Sequence, residues 1–271
     1  MHFTKHSRVL QKIDKFAVEY ANWDKADKFY ITVDVDFAPE YMIDYVLKTL
    51  EKYDVSATFF ATHESEILKK LSHESKFEVG IHPNLGPEST QGKGLNEIVK
   101  KLRSFYPRAV GTRFHLLNYS YRDLIELGKD GFIYDISSIR FNCPYVLPAW
   151  HQDLNMVLLT YGWEDGVCEK AKLPMKLDSI DLKSPGIKIF NFHPVNVFLN
   201  GKDSSTKMKF LSSIDRLTDC PEDLVEKFRC NGNEGADIVL NDLLKFISSN
   251  NHKTLRIKDL VNSYKLFLDI H

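Results

Sequence analysis

Polar side chains end four apolar runs of this chain, and their types suit hydrolysis. The four segments are residues 32–36 (TVDVD), 78–84 (EVGIHPN), 111–115 (GTRFH) and 191–194 (NFHP). Carboxylates, imidazoles and a guanidinium together supply what a hydrolase needs to activate water on a metal and to protonate a leaving group. The sequence therefore predicts an enzyme.

The first segment carries two aspartates, Asp34 and Asp36, at a spacing of two. On a strand, that spacing directs both side chains to the same face. Two carboxylates in so apolar a run are costly unless they are ionised against a cation or share a proton. We predict that one binds a divalent metal while the other acts as base toward water. The alternative is a pair that caps the next helix.

Three further side chains complete this chemistry. His82 is predicted to ligate the metal, and zinc suits a site of imidazole and carboxylate ligands. Arg113 is predicted to pair with Asp34 and hold it ionised. His193 could protonate a leaving amine as general acid. The alternatives are packed structural histidines and a peripheral salt bridge.

The elements that must position these residues alternate between strand-like and helix-like patterns. The predicted strands are residues 29–35, 55–61, 77–82, 109–114, 132–136, 156–160 and 187–192. Strands separated by helical patterns are typical of parallel βαβ units. We expect an α/β fold, a single-domain irregular (β/α) barrel of six to eight strands. Active sites of such barrels lie at the C-terminal ends of the strands, where all four segments fall.

The organisation of the chain predicts one main domain. Residues 1–28 are expected to pack on the barrel as an N-terminal extension, and residues 29–271 to form the catalytic domain. Residues 200–235 are polar and weakly periodic, which favours either a lid over the site or a surface loop.

The composition limits the partners of the protein. With 36 basic and 37 acidic residues, the net charge of −1 gives no reason to expect nucleic acid or an anionic membrane as partner. No apolar run reaches membrane-spanning length, and residues 1–15 lack a signal-peptide pattern. The four cysteines are predicted to be reduced, with a Cys220–Cys230 bridge as the alternative. We expect a cytoplasmic protein with a small-molecule or glycan substrate and leave its oligomeric state open.

The ordered segments resemble the polysaccharide deacetylase family, also called the NodB-homology family or carbohydrate esterase family four. Within it, the sequence is most similar to the WbmS-like branch. Residues 57–60 (ATFF) resemble the second-strand signature of the family, and residues 134–138 and 162–165 resemble later segments that line the site. The resemblance covers residues 29–200 and implies a NodB-like barrel.

The resemblance also implies a role for each site residue. Asp34 becomes the catalytic base, Asp36 and His82 metal ligands, Arg113 the partner of the base, and His193 the catalytic acid. The first motif of the family usually has adjacent aspartates, whereas one residue separates them here.

One departure leaves the third metal ligand open. The family usually has a second histidine four residues after the first, and Gly86 occupies that position here. His115 is the first choice for the missing ligand because its spacing from Arg113 places both on one strand face. His63, at the end of a predicted strand, is the second choice.

The resemblance implies a metal-dependent hydrolase that removes an N-acetyl group from an amino sugar, with Zn²⁺ as the expected metal. Because we expect a cytoplasmic protein, the expected substrate is an intracellular nucleotide-linked or lipid-linked intermediate of surface-polysaccharide biosynthesis. Tyr134 and Trp163 could stack on the sugar. Two alternatives are an allantoinase-like hydrolase of a non-sugar amide and a catalytically inactive sugar-binding barrel.

Overall fold

The computed structural model describes residues 29–184 and 186–270, so the predicted extension 1–28 lies outside the described residues. One sheet contains the strands β1 (Phe29–Asp34), β2 (Ala57–Ala61), β3 (Phe77–Ile81), β4 (Gly111–Thr112), β5 (Tyr134–Ile139), β6 (Ala149–His151), β7 (Met156–Tyr161), β8 (Trp163–Glu164) and β9 (Lys188–Phe192). The helices are α1 (Glu40–Lys52), α2 (Glu66–Leu71), α3 (Leu95–Phe105), α4 (Tyr121–Lys129), α5 (Asp165–Ala171), α6 (Pro194–Leu199), α7 (Ser204–Leu211), α8 (Glu222–Glu226), α9 (Ala236–Ser249) and α10 (Ile257–Phe267).

The strand order of the sheet is β6-β7-β5-β4-β3-β2-β1-β9-β8. Among the strands that the structure describes, only the short β6 runs antiparallel to its neighbour. Gly162 alone separates β7 from β8, and its N–H donates to the carbonyl of Ile189 at 2.9 Å. β7 lies next to one end of the strand order and β8 forms the other end, yet the two strands follow each other directly along the chain, which gives the sheet its barrel-like curvature. The predicted single-domain α/β fold is confirmed. Within the described residues, the short strands β6 and β8 raise the number of strands from the seven predicted to nine, and the predicted strand 109–114 is shortened to β4.

Side chains of the strands alternate between two apolar clusters. One cluster lies inside the curved sheet. It contains Tyr30, Phe60, Tyr134, Tyr161 and Ile189 from the strands and Ile257 and Tyr264 from α10. The other lies between the sheet and its helices and includes Ile31, Val33, Phe59, Val79, Ile98 and Val239. The polar residues at the C-terminal ends of the strands lie beyond these clusters and line a cavity.

Two glycines make room for the rings inside the sheet. A Cβ atom on Gly111 would lie 1.8 Å from the ring of Tyr134, and one on Gly80 would lie 2.9 Å from the ring of Phe60. These distances are far below van der Waals contact, so any side chain at either position would displace an interior ring.

A buried carboxylate ties α10 to the sheet. Glu78 accepts hydrogen bonds from the hydroxyls of Thr58 (3.0 Å) and Tyr134 (2.9 Å) and from the backbone N–H of Lys258 (2.9 Å). Its position at the first turn of α10 suits the positive end of the helix dipole. The hydroxyl of Tyr134 is thus used inside the fold. Tyr134 and Trp163 are both buried and do not line the cavity described below, so the expectation that they stack on a sugar is wrong.

Residues 200–235 are more ordered than their weak periodicity predicts. They contain α7, a 3₁₀ turn at Leu217–Asp219 and α8. Phe210 and Val225 are fully buried, so isolated apolar anchors rather than a continuous apolar face hold the segment on the fold. Whether the segment moves as a lid stays a prediction.

Two expectations concern the chain as a whole. All four cysteines are free, as predicted for reduced thiols. Within residues 29–184 and 186–270, no helix combines the length and apolar character needed to cross a membrane.

Candidate active site

The predicted site residues meet at the C-terminal ends of the strands. A cavity of about 1130 Å³ opens there and is lined by Asp34, Asp36, His82, His115 and His193. Arg113 lies directly beneath them with no exposed surface. Segments that are far apart in sequence therefore form one polar centre.

Asp34 is the last residue of β1 and is nearly buried. Its Oδ1 accepts a hydrogen bond from Nη1 of Arg113 at 2.9 Å, and its Oδ2 accepts one from Nδ2 of Asn191 at 2.8 Å. Burial alone would raise the pKa of Asp34, but the charge of Arg113, followed by those of His82 and His193, outweighs burial and lowers that pKa. Asp34 is therefore held as a carboxylate.

The guanidinium of Arg113 is held inside the curved sheet by aromatic and backbone contacts. It lies between the rings of Phe60 and Tyr161, at 4.7 and 4.3 Å from their centroids. Its Nε donates to the carbonyl of Ile136 at 3.1 Å. The predicted ion pair with Asp34 is present and is fully buried rather than peripheral.

Asp36 reaches the same cavity through a turn and not through strand alternation. β1 ends at Asp34, and the intervening Val35 is buried in the core. Asp36 and Phe37 then adopt left-handed φ angles of 46° and 59°. The N–H of Phe37 donates to Oγ1 of Thr62 at 2.8 Å, which holds this turn. The strand-face explanation is therefore wrong, although both carboxylates do face one site; such strained turns are typical of functional sites.

Three ligand-type side chains converge in what we call the Asp36–His82–His115 cluster. Oδ1 of Asp36 lies 3.1 Å from Nε2 of His82 and 2.9 Å from Nδ1 of His115, and the three ligand atoms all lie within 4.8 Å of one another. Nδ1 of His82 lies 2.6 Å from the carbonyl of Arg113, which fixes the tautomer whose Nε2 lone pair faces the cluster. One carboxylate and two imidazoles are a donor set that fits a divalent cation.

His115 also arrives by a turn. β4 ends at Thr112, and His115 begins a 3₁₀ turn in which Leu116 and Leu117 have left-handed φ angles of 55° and 54°. The N–H of His115 donates to the carbonyl of Pro83 at 2.9 Å. His115 therefore reaches the cluster through this turn, and its expected strand face with Arg113 is absent.

His63 lines the cavity but lies outside the cluster. Its Nδ1 lies 3.0 Å from Oγ1 of Thr62, and its ring stacks on that of Phe37 at 6.2 Å between centroids. Burial lowers the pKa of His63, which favours the neutral imidazole. Its contacts support the turn that carries Asp36.

The loop after β3 explains why residue 86 offers no ligand. Oδ1 of Asn84 accepts the N–H of Gly86 at 2.9 Å, so the chain turns immediately after His82. On a helix, residues four apart are neighbours, but residues 82–94 contain no helix that would bring residue 86 beside His82. The second imidazole of the cluster therefore comes from the next loop along the sheet.

His193 faces the carboxylates from the opposite side. Its Nε2 lies 3.6 Å from Oδ2 of Asp36 and 3.9 Å from Oδ2 of Asp34. Its Nδ1 lies 2.5 Å from Oδ1 of Asp165, and its backbone N–H donates to Oδ2 of the same carboxylate at 2.9 Å. Burial lowers the pKa of His193, but the charges of Asp165 and Asp36 raise it to about 10. The imidazole is thus poised to carry a proton.

Sequence reasoning missed two residues of this centre. Asp165, fully buried, orients His193, and Asn191 joins Asp34 to the Arg113 guanidinium through its amide. Both stand inside segments that resemble the family, which was the available signal, and Asn191 also lies between Phe190 and Phe192. Their partners lie on other elements, so the local pattern could not assign them a role.

Residues 200–235 form one wall of the cavity, through Lys207, Leu211 and residues 216–219. Nζ of Lys207 lies 3.7 Å from Oε2 of Glu169 on α5, and burial raises the pKa of Glu169 to about 7. This contact connects the wall to the helix that begins with Asp165.

Similarity to known proteins covers most of the chain. The profile of the WbmS-like polysaccharide deacetylases matches residues 31–209. A Bordetella bronchiseptica structure described as a polysaccharide deacetylase involved in O-antigen biosynthesis shares 24% identity, covers 88% of this chain and 96% of its own, and has a TM-score of 0.73. A Mycobacterium smegmatis structure described as a polysaccharide deacetylase shares 14% identity over 92% of this chain and 94% of its own, with a TM-score of 0.55. No curated protein matches the chain.

Proposed function

Because the chain belongs to the WbmS-like polysaccharide deacetylase family, a branch of carbohydrate esterase family four, we propose that it is a metal-dependent hydrolase that removes an N-acetyl group from an amino sugar. One observation carries this proposal. The buried Asp34–Arg113 pair lies beside the Asp36–His82–His115 cluster, and His193 faces both from the other side. A base, a metal site and an acid thus surround one cavity.

Asp36, His82 and His115 would hold the metal, and Zn²⁺ suits their mixed oxygen and nitrogen donors. When bound, a divalent cation supplies Lewis acidity, which lowers the pKa of water and polarises a carbonyl. The hydrogen bond from His82 to the Arg113 carbonyl keeps its Nε2 available as a ligand. The left-handed residues Leu116 and Leu117 form the turn that follows His115.

The remaining residues handle the protons. Asp34 accepts the proton of the water that attacks the acetyl carbonyl, and Arg113 and Asn191 hold its carboxylate in place. Asp165 fixes Nδ1 of His193, so its Nε2 points into the cavity and can donate a proton to the departing amine. The C–N bond breaks, and the products are acetate and the free amine.

We propose that the substrate is an intracellular intermediate of surface-polysaccharide biosynthesis, with its sugar linked to a nucleotide or a lipid. Two observations support this. The family is named for WbmS, and the B. bronchiseptica structure is described as involved in O-antigen biosynthesis. The cavity of about 1130 Å³ has room for more than a single sugar ring.

The direct test is acetate release from nucleotide-linked and lipid-linked N-acetylamino sugars. We expect protein loaded with Zn²⁺ to release one acetate per amine formed. Chelator-treated protein should be inactive and should recover when Zn²⁺ is returned. Sugar binding without acetate release from any substrate would instead favour an inactive sugar-binding barrel, and metal-independent release would contradict the proposed mechanism.

Replacing Asp165 tests the acid. Asp165→Asn removes the charge that orients His193, and proton transfer by a positioned side chain contributes about 10²–10⁴-fold to rate. We expect kcat to fall at least about 10²-fold while the metal content stays at the wild-type value, because Asp165 lies outside the cluster. The exposed Asp178→Asn is the matched control and should keep full activity. An unchanged kcat in Asp165→Asn would exclude His193 as a carboxylate-oriented acid.

A further inference from the structure

One amide side chain contacts the backbone of the loops that carry the cluster. Of residues 84–94, all described by the structure, only Gln91 is buried. Its Nε2 donates to the carbonyl of Thr62 at 2.8 Å and to the carbonyl of His82 at 2.9 Å. Its Oε1 accepts the N–H of Asn84 at 2.6 Å. Both amide hydrogens and the oxygen are therefore used on the site loops.

These contacts reach all three ligands. His82 is held through its own carbonyl. Asp36 is held through Thr62, whose Oγ1 accepts the N–H of Phe37 in the left-handed turn. His115 is held through Pro83, whose carbonyl accepts its backbone N–H and which lies between His82 and Asn84. Gln91 thus stands one or two hydrogen bonds from each ligand-bearing backbone.

The loop needs such a support because it has no regular structure of its own. The turn of Asn84 and Gly86 replaces a helical turn after His82, so no backbone hydrogen-bond ladder fixes residues 83–94. Buried amides that satisfy several backbone groups give a loop one defined conformation. Removing a side chain that hydrogen-bonds a metal ligand typically changes metal affinity about 10–100-fold, and Gln91 orients the ligands through their backbone.

We propose that Gln91 is a positioning residue of the Asp36–His82–His115 site, which fixes the backbone of the ligand-bearing loops so that the cluster is formed before the metal binds. The proposal rests on the proposed metal-dependent function and adds a residue to that same site. Gln91 itself lines the cavity but its amide is used on backbone groups, so it acts through the ligands and not on the substrate.

Gln91→Glu is the sharpest test because it keeps the size of the side chain and the acceptor for Asn84. It replaces the donor to the Thr62 and His82 carbonyls by an oxygen. We expect the dissociation constant for Zn²⁺, measured by chelator competition, to rise about 10–100-fold. Gln91→Asn keeps the amide on a shorter side chain and should give an intermediate increase. Gln152→Glu, at an exposed position, is the matched control and should bind Zn²⁺ as the wild type does.

Thermal unfolding with and without Zn²⁺ separates positioning from loop packing. A packing role lowers the unfolding temperature of the unloaded protein but leaves the dissociation constant unchanged; that outcome in both Gln91 variants would overturn the proposal. If Gln91→Glu does not fold, the dissociation constant of Gln91→Asn decides. The same titration also tests the proposed function separately. If the wild type does not bind Zn²⁺, the proposed metal-dependent function itself is overturned.

Discussion

The Asp34→Asn variant is expected to lose turnover while it keeps its metal. Asp34 is the carboxylate that would accept a proton from water, and a neutral amide cannot accept one. A positioned base contributes about 10²–10⁴-fold to rate, so we expect kcat to fall by about 10³-fold. Asp34 lies outside the Asp36–His82–His115 cluster, so the metal content should stay near the wild-type value. Acetate release and metal analysis on the same preparation measure both quantities.

The variant also removes the charge that faces Arg113. Loss of one partner of a buried ion pair costs about 3–5 kcal/mol of folding free energy. The guanidinium keeps the carbonyl of Ile136 and the amide oxygen of Asn191 as acceptors, so we expect a folded but less stable protein. Circular dichroism and thermal unfolding must therefore accompany the assay.

Asp36→Asn is the matched variant, because its carboxylate belongs to the cluster and is only two residues away. It should lose metal together with activity, whereas Asp34→Asn should lose activity alone. Retained turnover in folded Asp34→Asn would falsify the assignment of the base. Loss of metal in both variants to the same extent would make Asp34 a ligand instead.

Long apolar runs made the central strands predictable. β1, β2, β3 and β9 begin and end within two residues of their predicted bounds because each is buried on both faces and is therefore rich in apolar residues. β6 and β8 contain two or three residues and have no periodicity to detect. Glu78 in β3 looks out of place in the sequence, and only the distant N-terminus of α10 explains it.

The sequence predicted which polar residues meet at this edge of the sheet, but not the way each of them reaches it. Strand ends in a parallel sheet meet at one edge, which brought Asp34, His82 and His193 together as expected. Asp36 and His115 were placed by strand alternation, whereas left-handed residues follow or include both of them. A φ angle above zero at Phe or Leu has no clear sequence signal, because these residues rarely adopt it.

Contacts between distant segments account for what sequence reasoning missed. Asp165 pairs with His193 across 28 residues, and Gln91 acts on a carbonyl 29 residues before it. Neither is part of a repeating pattern. Both residues are polar and buried. Because the sequence alone does not show which polar residues are buried, it could not single them out.

One prediction concerns which histidine takes the place of the family's second metal-binding histidine, where this chain has Gly86. We expect it to be His115, in the loop after β4. His115→Ala removes one of three ligand-type side chains, while His63→Ala removes an imidazole that also lines the cavity but lies outside the cluster. Loss of an outer partner alone costs about 10–100-fold in metal affinity, so loss of a ligand should cost at least about 100-fold. We expect Zn²⁺ and activity to be lost in His115→Ala.

His63→Ala is the matched control, since it deletes the same side chain at the other candidate position. It removes the stacking on Phe37 and the contact with Thr62, so a moderate loss of affinity through the Asp36 turn is expected. Chelator competition on the wild type and both variants ranks the two histidines directly. A larger loss of affinity in His63→Ala than in His115→Ala would reverse the assignment, and it would mean that the turn at residues 115–117 positions something other than a ligand.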